Sequence, residues 1–438
     1  MKALIILFFV NITLLTHAQS DPIIEQKAAE FSEALVNEEF ETVLKNLAPP
    51  AGVEIDAEML RTVWSQIQEK FGAYQYKEAV INTLIEGKKI VSYQFFTFKN
   101  TLLDLKLSFN ENKLIEAFYF LPHKVLELDL ISNDQFTEEE IFVKTGKKIK
   151  LRGILTLPTA SEKVPVIILV HGSGPQDMDE TIGPNKIFQD LAHQLAEKGI
   201  AVIRYTKRTR EYGGRPEMDL LNLTLFEETI EDAISAVDLA KKDKRIDKNN
   251  IFVLGHSLGG MSAPRIAQMS KNIKGIIIMS GNSRPLEVLL QEQFNYLFNE
   301  DNEITAEEEI LLADFKTQLE ALEKFRIEGK TNATLPMGLS SKYWEYLNEY
   351  DQIATAQDIA QPILILQGQR DYQVTTSDFE LWNKSLSKKQ NVTYKLYEKL
   401  NHLMHEGMGK SFPSEYQIKN ELPSYLISDI SAWIFAQK

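Results

Sequence analysis

At 438 residues, with 44% apolar and 25% charged residues, the chain exceeds one ordinary core and has the make-up of a soluble two-domain protein. A formal net charge of −14 argues against nucleic acid and anionic membrane as partners, because polyanions are repelled. No cysteine is present, which removes disulfides, thiolate metal sites and a lipid-modified cysteine.

The first element reads as a leader. Lys2 precedes apolar runs from Ala3 to Val10 and from Ile12 to Leu15, and Thr16-His17-Ala18 follows with a small residue at each end. Residues 1–18 thus have the layout of a secretory signal peptide. Asn11 and Thr13 interrupt a run that is already short for a spanning helix. The expectation is an exported protein, periplasmic or secreted, with no stable membrane insertion after cleavage.

Residues 21–125 read as a small α+β domain. Phe31, Leu35 and Phe40 have helical spacing within a stretch from Ile24 to Leu47, which Pro49-Pro50 ends. A second helix is expected from Ala57 to Phe71. Four strand-like runs follow, Tyr74 to Leu84, Lys89 to Phe98, Leu102 to Phe109 and Leu114 to Tyr119, with a turn at Asn110-Glu111-Asn112. Helices first and a meander after predict one curved sheet covered by helices. Nothing in this segment has catalytic spacing.

Residues 130–438 change pattern. Ile141 to Val143 and Lys148 to Leu157 flank Thr145-Gly146 as a hairpin, after which strands and helices alternate. Strands are expected at Val166 to Val170, Ala201 to Tyr205, Ile251 to Leu254, Ile273 to Met279, Pro362 to Leu366 and Val392 to Leu396. Helices are expected at Ile187 to Lys198, Leu223 to Lys241, Gly259 to Met269 and Tyr425 to Ala436. Continuous apolar strands alternating with helices predict a mostly parallel sheet covered on both faces. Residues 282–355 interrupt the alternation with charged amphipathic stretches, Glu292 to Asn299 and Ala306 to Glu328, and an aromatic-rich run from Met337 to Tyr350. An excursion between two core strands falls at the carboxyl edge of the sheet, where ligands bind, and reads as a helical lid. Tyr343 and Trp344 are its candidate pocket residues; burial in the lid's own core is the alternative.

The chemistry is carried by Gly255-His256-Ser257-Leu258-Gly259-Gly260, which follows an apolar strand and opens a helix. A sharp strand-to-helix turn strains the backbone of Ser257, and side chains at Gly255 and Gly259 would collide there. Serine needs a base, and the base an orienting carboxylate, in the chain order Ser, acid, His. Downstream of Ser257 stand His402 and His405 as the two histidines. Asn401-His402 follows a strand and is the expected base; His405 is the alternative. Asp371 lies just beyond the strand ending at Leu366 and is the expected acid, whereas Asp378 falls in the following helix. An oxyanion needs two backbone donors. The N–H of Leu258 is one. The other is expected from the loop His171-Gly172-Ser173-Gly174-Pro175, at Ser173 or else Gly174. His171 and His256 read as structural, and no role is assigned to His193 or His123.

These motifs, together with Gln176-Asp177, Arg204-Tyr205 and Lys207-Arg208, resemble a branch of bacterial α/β-hydrolases. Its members are serine esterases of the dienelactone-hydrolase-like and prolyl-oligopeptidase-like kind. Many carry a small cystatin/NTF2-like N-terminal domain of the DUF3887 type, which residues 24–122 resemble by size and element order. The resemblance implies a Ser257–Asp371–His402 triad and hydrolysis of carboxylic esters with short acyl chains. It implies no cofactor. One departure is Thr206, where the family usually has aspartate, which touches a charge network beneath the oxyanion loop. The run Asp177, Asp179 and Glu180 could suggest a metal, but in this context it is expected to be a solvated loop without one. A small-molecule ester is therefore the expected partner. The rival functions are a peptidase or amidase and a non-catalytic binding protein on the same fold. The N-terminal domain is left with three roles: shaping the entrance, pairing two copies as a homodimer, or holding a polysaccharide or partner.

Overall fold

The computed structural model describes residues 22–48, 55–86, 89–123, 128–146, 149–160, 162–212, 221–298 and 305–437. The expected signal peptide lies outside them. No helix among the described residues is long and apolar enough to cross a membrane.

The N-terminal unit begins with helices Pro22–Val36, Phe40–Asn46 and Ala57–Phe71. The single helical stretch expected from Ile24 is broken at Glu38, which takes a left-handed φ of 58°. Asp56 caps the third helix by accepting the Met59 N–H at 2.7 Å. Strands β1 (Tyr74–Glu86), β2 (Lys89–Phe98), β3 (Thr101–Phe109) and β4 (Ile115–Pro122) form an antiparallel meander in that spatial order. Helices and sheet share a core in which Phe31, Trp64, Phe96, Phe98 and Leu105 are buried.

The second sheet has eight strands. These are β5 (Phe136–Thr145), β6 (Ile149–Pro158), β7 (Val164–Val170), β10 (Ala201–Tyr205), β11 (Ile246–His256), β12 (Gly275–Met279), β13 (Ile363–Gly368) and β14 (Val392–Tyr397). The short pair β8 (Thr181–Ile182) and β9 (Asn185–Lys186) forms a ribbon of its own. The spatial order is β14-β13-β12-β11-β7-β10-β6-β5. Pairing is parallel from β14 to β10 and antiparallel where β6 meets β10 and β5. This is the mostly parallel α/β sheet expected from the continuous apolar strands. Alternate residues feed opposite cores: Val166, Ile168 and Val170 face one, Ile167 and Leu169 the other. Helices Glu231–Ala240 and Leu258–Met269 close the first core, and Ile187–Glu197 and Ser424–Ala436 the second.

One departure from the expected elements matters for function. The long helix from Leu223 to Lys241 opens instead as a wide π turn, Phe226–Ile230, before continuing as Glu231–Ala240. Such turns are rare and cluster where a side chain must be re-aimed. The insertion between β12 and β13 is helical as expected, comprising Leu286–Phe298, Ala306–Glu328, Ser341–Glu349 and Gln352–Asp358. Its own small core gathers Leu322, Phe325, Leu335 and Trp344. The order in which strands are added reverses at β7, which has β10 on one side and β11 on the other, both parallel to it, so the loops leaving β7 and β11 meet at the carboxyl edge of the sheet.

Candidate active site

Ser257 follows β11 directly and precedes helix Leu258–Met269. Its backbone sits at φ 54°, ψ −117°, a region that side chains rarely tolerate. Its neighbours impose that conformation. The Ser257 N–H donates to Met279 O of β12 at 2.9 Å. A methyl on Gly255 would lie 2.0 Å from Gly259 O, and one on Gly259 would lie 2.2 Å from Val170 O. Only glycine lets the turn close this tightly. The serine is left half-buried on the β7 side of the turn, where a methyl on Gly172 would come within 3.1 Å of the Ser257 Cβ.

The candidate acid and base come from two further strand ends. After β13, the Asp371 carboxylate accepts the Gln373 and Val374 N–H groups on Oδ1, each at 2.9 Å. Its Oδ2 faces His402 Nδ1 at 2.8 Å and Gln367 Nε2 at 3.2 Å. Because the carboxylate can only accept, the neutral imidazole carries its proton on Nδ1 and keeps Nε2 as a lone pair. His402 is set in a closed loop, with Asn401 Oδ1 accepting the Leu403 and His405 N–H groups at 3.0 and 3.1 Å. The two loops meet because Gly368 has no side chain: a methyl there would lie 2.3 Å from Leu400 O. No hydrogen bond joins the Ser257 hydroxyl to the imidazole at rest, among the described residues. Such contacts commonly tighten only when substrate binds.

The alternatives weighed from sequence occupy other places. His405 is buried, does not pair with Asp371, and burial lowers its pKa to about 4, with Lys419 acting in the same direction. Asp378 is an anchor: its Oδ1 accepts the Ser283 and Arg284 N–H groups at 2.9 and 3.0 Å, and its Oδ2 pairs with the Arg284 guanidinium at 2.8 Å.

The loop after β7 is held by charges the sequence did not reveal. Glu180, itself at φ 47°, accepts the Gly172 N–H at 2.6 Å on Oε1 and faces His256 Nδ1 at 3.0 Å on Oε2. The other nitrogen of His256 faces His402 O at 2.9 Å. Both partners are acceptors, so both ring nitrogens carry protons and His256 is an imidazolium. Burial opposes that charge, but the Glu180 carboxylate overrides burial and raises the pKa. His256 thus ties Glu180, which holds the loop after β7, to the His402 loop. The Gly172 N–H is occupied, which leaves Ser173 and Gly174, the latter at φ 84°, as possible donors beside Leu258.

Two expectations are corrected here. Asp177, Asp179 and Glu180 are not a solvated loop. Asp177 Oδ1 accepts the Asp179 and Thr181 N–H groups, each at 3.0 Å, and buried Asp179 pairs with Arg204 at 2.8 Å and Lys186 at 3.1 Å. A buried turn satisfied by internal donors looks, in sequence, the same as a wet acidic one. No group of three His, Asp or Glu side chains among the described residues is placed to hold a metal. Tyr343 and Trp344 are buried instead of lining the groove beside Asp371. Trp344 sits in the insertion's own core, and the buried Tyr343 hydroxyl donates to Glu228 Oε2 at 2.7 Å. A groove of about 1020 Å³ does open beside Asp371, between Tyr296 and Tyr372 and the Lys399 to Ser411 stretch. Thr206 is buried and donates its N–H to Arg152 O at 2.7 Å, while the carboxylate facing the neighbouring Lys207 comes from Glu228 at 2.5 Å.

His171 gives a pH prediction. Its Nε2–H donates to Asp177 O at 2.9 Å, and burial lowers its pKa from 6.5 to about 4 against the pull of Glu180. Between those values the unfolded chain binds a proton that the folded chain refuses. The stability tied to neutral His171 is therefore complete above pH 6.5 and drains away as pH falls towards 4, by on the order of 3 kcal/mol. Urea unfolding of the parent and of His171→Asn at several pH values should show a steeper acid loss in the parent. Parallel curves would contradict the assignment.

Comparison with known proteins gives the family. Residues 161–407 match the serine aminopeptidase S33 family, a span running from the start of β7 through the His402 loop. Esterase EstD of Thermotoga maritima is 34% identical over 412 residues, covering 94% of this chain and 95% of that one. Among solved structures, the Pyrococcus furiosus esterase Pf2001 is 15% identical with a TM-score of 0.44, covering 69% of this chain and 91% of that one. A puromycin-hydrolysing peptidase of Mycobacterium tuberculosis is 16% identical with a TM-score of 0.47, covering 83% of this chain and 48% of that one. With over half its length matched and a relative alike almost end to end, the chain belongs to the serine aminopeptidase S33 family of α/β-hydrolases.

Proposed function

We propose that this protein is a carboxylesterase that works through Ser257, Asp371 and His402 and a covalent acyl-enzyme. The observation that carries the reading is the 2.8 Å contact of His402 Nδ1 with Asp371, in a loop whose His402 carbonyl meets His256, the residue before a serine held at a strained positive φ. His402 Nε2 takes the hydroxyl proton as Ser257 Oγ adds to the ester carbonyl. The N–H groups of Leu258 and Ser173 receive the tetrahedral oxyanion. The carbon–oxygen bond to the alcohol breaks and the alcohol leaves with the proton from His402. Water then adds to the acyl carbonyl, giving its proton to His402, and the acid departs as Ser257 recovers its proton. Asp371 keeps the ring in the productive tautomer and steadies its positive form.

Support for esters over amides comes from EstD, which is named an esterase and is alike over nearly the whole chain. The family resemblance adds short acyl chains. The unit from Pro22 to Pro122 we read as an accessory domain of the cystatin/NTF2-like type, and the pattern of residues 1–18 supports export. The test is a panel of p-nitrophenyl acetate, butyrate and octanoate beside amino-acid p-nitroanilides. Acetate and butyrate should turn over with kcat/KM at least tenfold above octanoate, and the anilides far more slowly. Anilide cleavage at a rate matching the esters would replace the reading with an aminopeptidase.

A further inference from the structure

Beneath the oxyanion loop lies a chain of buried polar contacts that the reaction scheme above does not use. Lys207 follows β10 and is 2% exposed. Its ammonium donates to Gly172 O at 2.7 Å and pairs with Glu228 Oε1 at 2.5 Å. Glu228, on the π turn, is buried too, and its second oxygen accepts the hydroxyl of Tyr343 from the insertion helix Ser341–Glu349. An ammonium in such a place is costly unless paired and hydrogen-bonded, and here both conditions are met.

The position of the first contact is what matters. Gly172 C=O and Ser173 N–H belong to one peptide unit, which is planar and trans, so the two groups point in opposite directions. Fixing the carbonyl on Lys207 below fixes the N–H above. A cation on the carbonyl oxygen also draws charge through the peptide and strengthens its N–H as a donor. The preceding peptide is fixed separately, through the Gly172 N–H on Glu180. The Gly172–Ser173 peptide therefore cannot flip without stripping a buried ammonium of one of its acceptors.

We propose that Lys207, held by Glu228 and Tyr343, is a positioning residue that aims and polarises the Ser173 N–H for the oxyanion. The inference rests on the esterase reading and on Ser173 as a donor. It gives Tyr343 a task unlike the pocket role expected from sequence: the insertion braces the oxyanion loop through one buried hydroxyl. A purely structural lysine would change stability and the amount of folded enzyme. A positioning lysine changes how tightly a tetrahedral adduct is held relative to the planar ester.

The experiment uses the full chain with p-nitrophenyl butyrate as substrate and phenylboronic acid as a tetrahedral probe on Ser257. In Lys207→Met, kcat should fall roughly 30- to 300-fold, as befits a misdirected oxyanion donor, with KM within about threefold. The boronate inhibition constant should rise by a matching factor, and Lys207→Arg should recover part of both. Tyr343→Phe, which removes only the hydroxyl, should lower kcat by about three- to tenfold with the same proportional loss of boronate affinity. It serves as the deciding variant where Lys207→Met is poorly folded. Unchanged boronate affinity in Tyr343→Phe and in folded Lys207→Met would overturn the proposal. That result would leave the esterase reading intact so long as a fluorophosphonate still labels Ser257. Loss of labelling in the parent enzyme would sink both.

Discussion

Replacing Ser257 with alanine should reduce ester turnover by about 10⁵- to 10⁶-fold while leaving the fold in place, the scale on which removal of a catalytic serine acts. The two halves of that expectation have separate grounds. Among the described residues the hydroxyl makes no hydrogen bond that holds the structure together, and the strained φ of 54° is imposed by the Met279 contact and by the close approaches at Gly255 and Gly259. Alanine meets the same backbone constraints as serine, so the melting temperature should move by no more than a few degrees. The hydroxyl is, however, the only atom of this residue able to add to a carbonyl, so the acyl-enzyme cannot form. Residual rate above water would come from binding and from the donors around Leu258 and Ser173. A fluorophosphonate should label the parent with one adduct, located on Ser257 by mass spectrometry, and should not label the variant. Full turnover by the alanine variant, with the fold verified by circular dichroism, would remove Ser257 from the mechanism and take the esterase reading with it.

The parts of the site legible from sequence were those whose geometry is local. A glycine-flanked serine after an apolar strand announces a tight turn because the reason for each glycine lies within a few residues of it. An exception shows the limit: a methyl on Gly259 would strike Val170 O, on a strand nearly ninety residues earlier, so half of its reason is long-range. Asp371 and His402 were legible because each closes a strand in the expected chain order, and their Nδ1 contact bridges only two neighbouring strand ends. The holding network was not legible. Glu180 meets His256 across 76 positions, and Tyr343 meets Glu228 across 115. Periodicity reports which face of an element is apolar; it carries no information on whether a lone acid in a polar loop turns inward to a partner on another loop. Glu180 and Asp179 therefore read as solvated, and Tyr343, an aromatic in the helical insertion, reads as either pocket lining or burial in the insertion's own core. The signal that was present, Lys207 and Arg208 one residue beyond the buried strand β10, marked the right place without naming its carboxylate.

Changing Asp371 to asparagine should lower kcat by about 10⁴-fold with little change in KM, the size seen when the orienting carboxylate of such a triad becomes an amide. The reason is tautomeric. Asp371 Oδ2 accepts the proton of His402 Nδ1 at 2.8 Å, which leaves Nε2 free to take the serine proton. The Gln373 and Val374 N–H groups claim Oδ1, so an asparagine places its carbonyl there and turns its NH₂ towards the ring. That NH₂ donates to Nδ1, the ring proton moves to Nε2, and the base loses its lone pair on the side facing Ser257. Geometry survives while chemistry stops, which makes the variant more informative than alanine. Gln367 sharpens the prediction. Its amide also donates to Asp371 Oδ2, at 3.2 Å, and an NH₂ at position 371 would face that donor without an acceptor, so a stability loss of about 1 to 3 kcal/mol should accompany the rate loss. Asp378→Asn is the contrast. Its Oδ1 still accepts the Ser283 and Arg284 N–H groups, the ion pair with Arg284 is weakened, and the active ring is untouched, so stability should suffer more than kcat. Measuring kcat and urea unfolding on both variants separates the acid from the anchor. A 10⁴-fold loss in Asp378→Asn with near-normal turnover in Asp371→Asn would reverse the two assignments, and it would require the His402 loop to adopt a different conformation once substrate is bound.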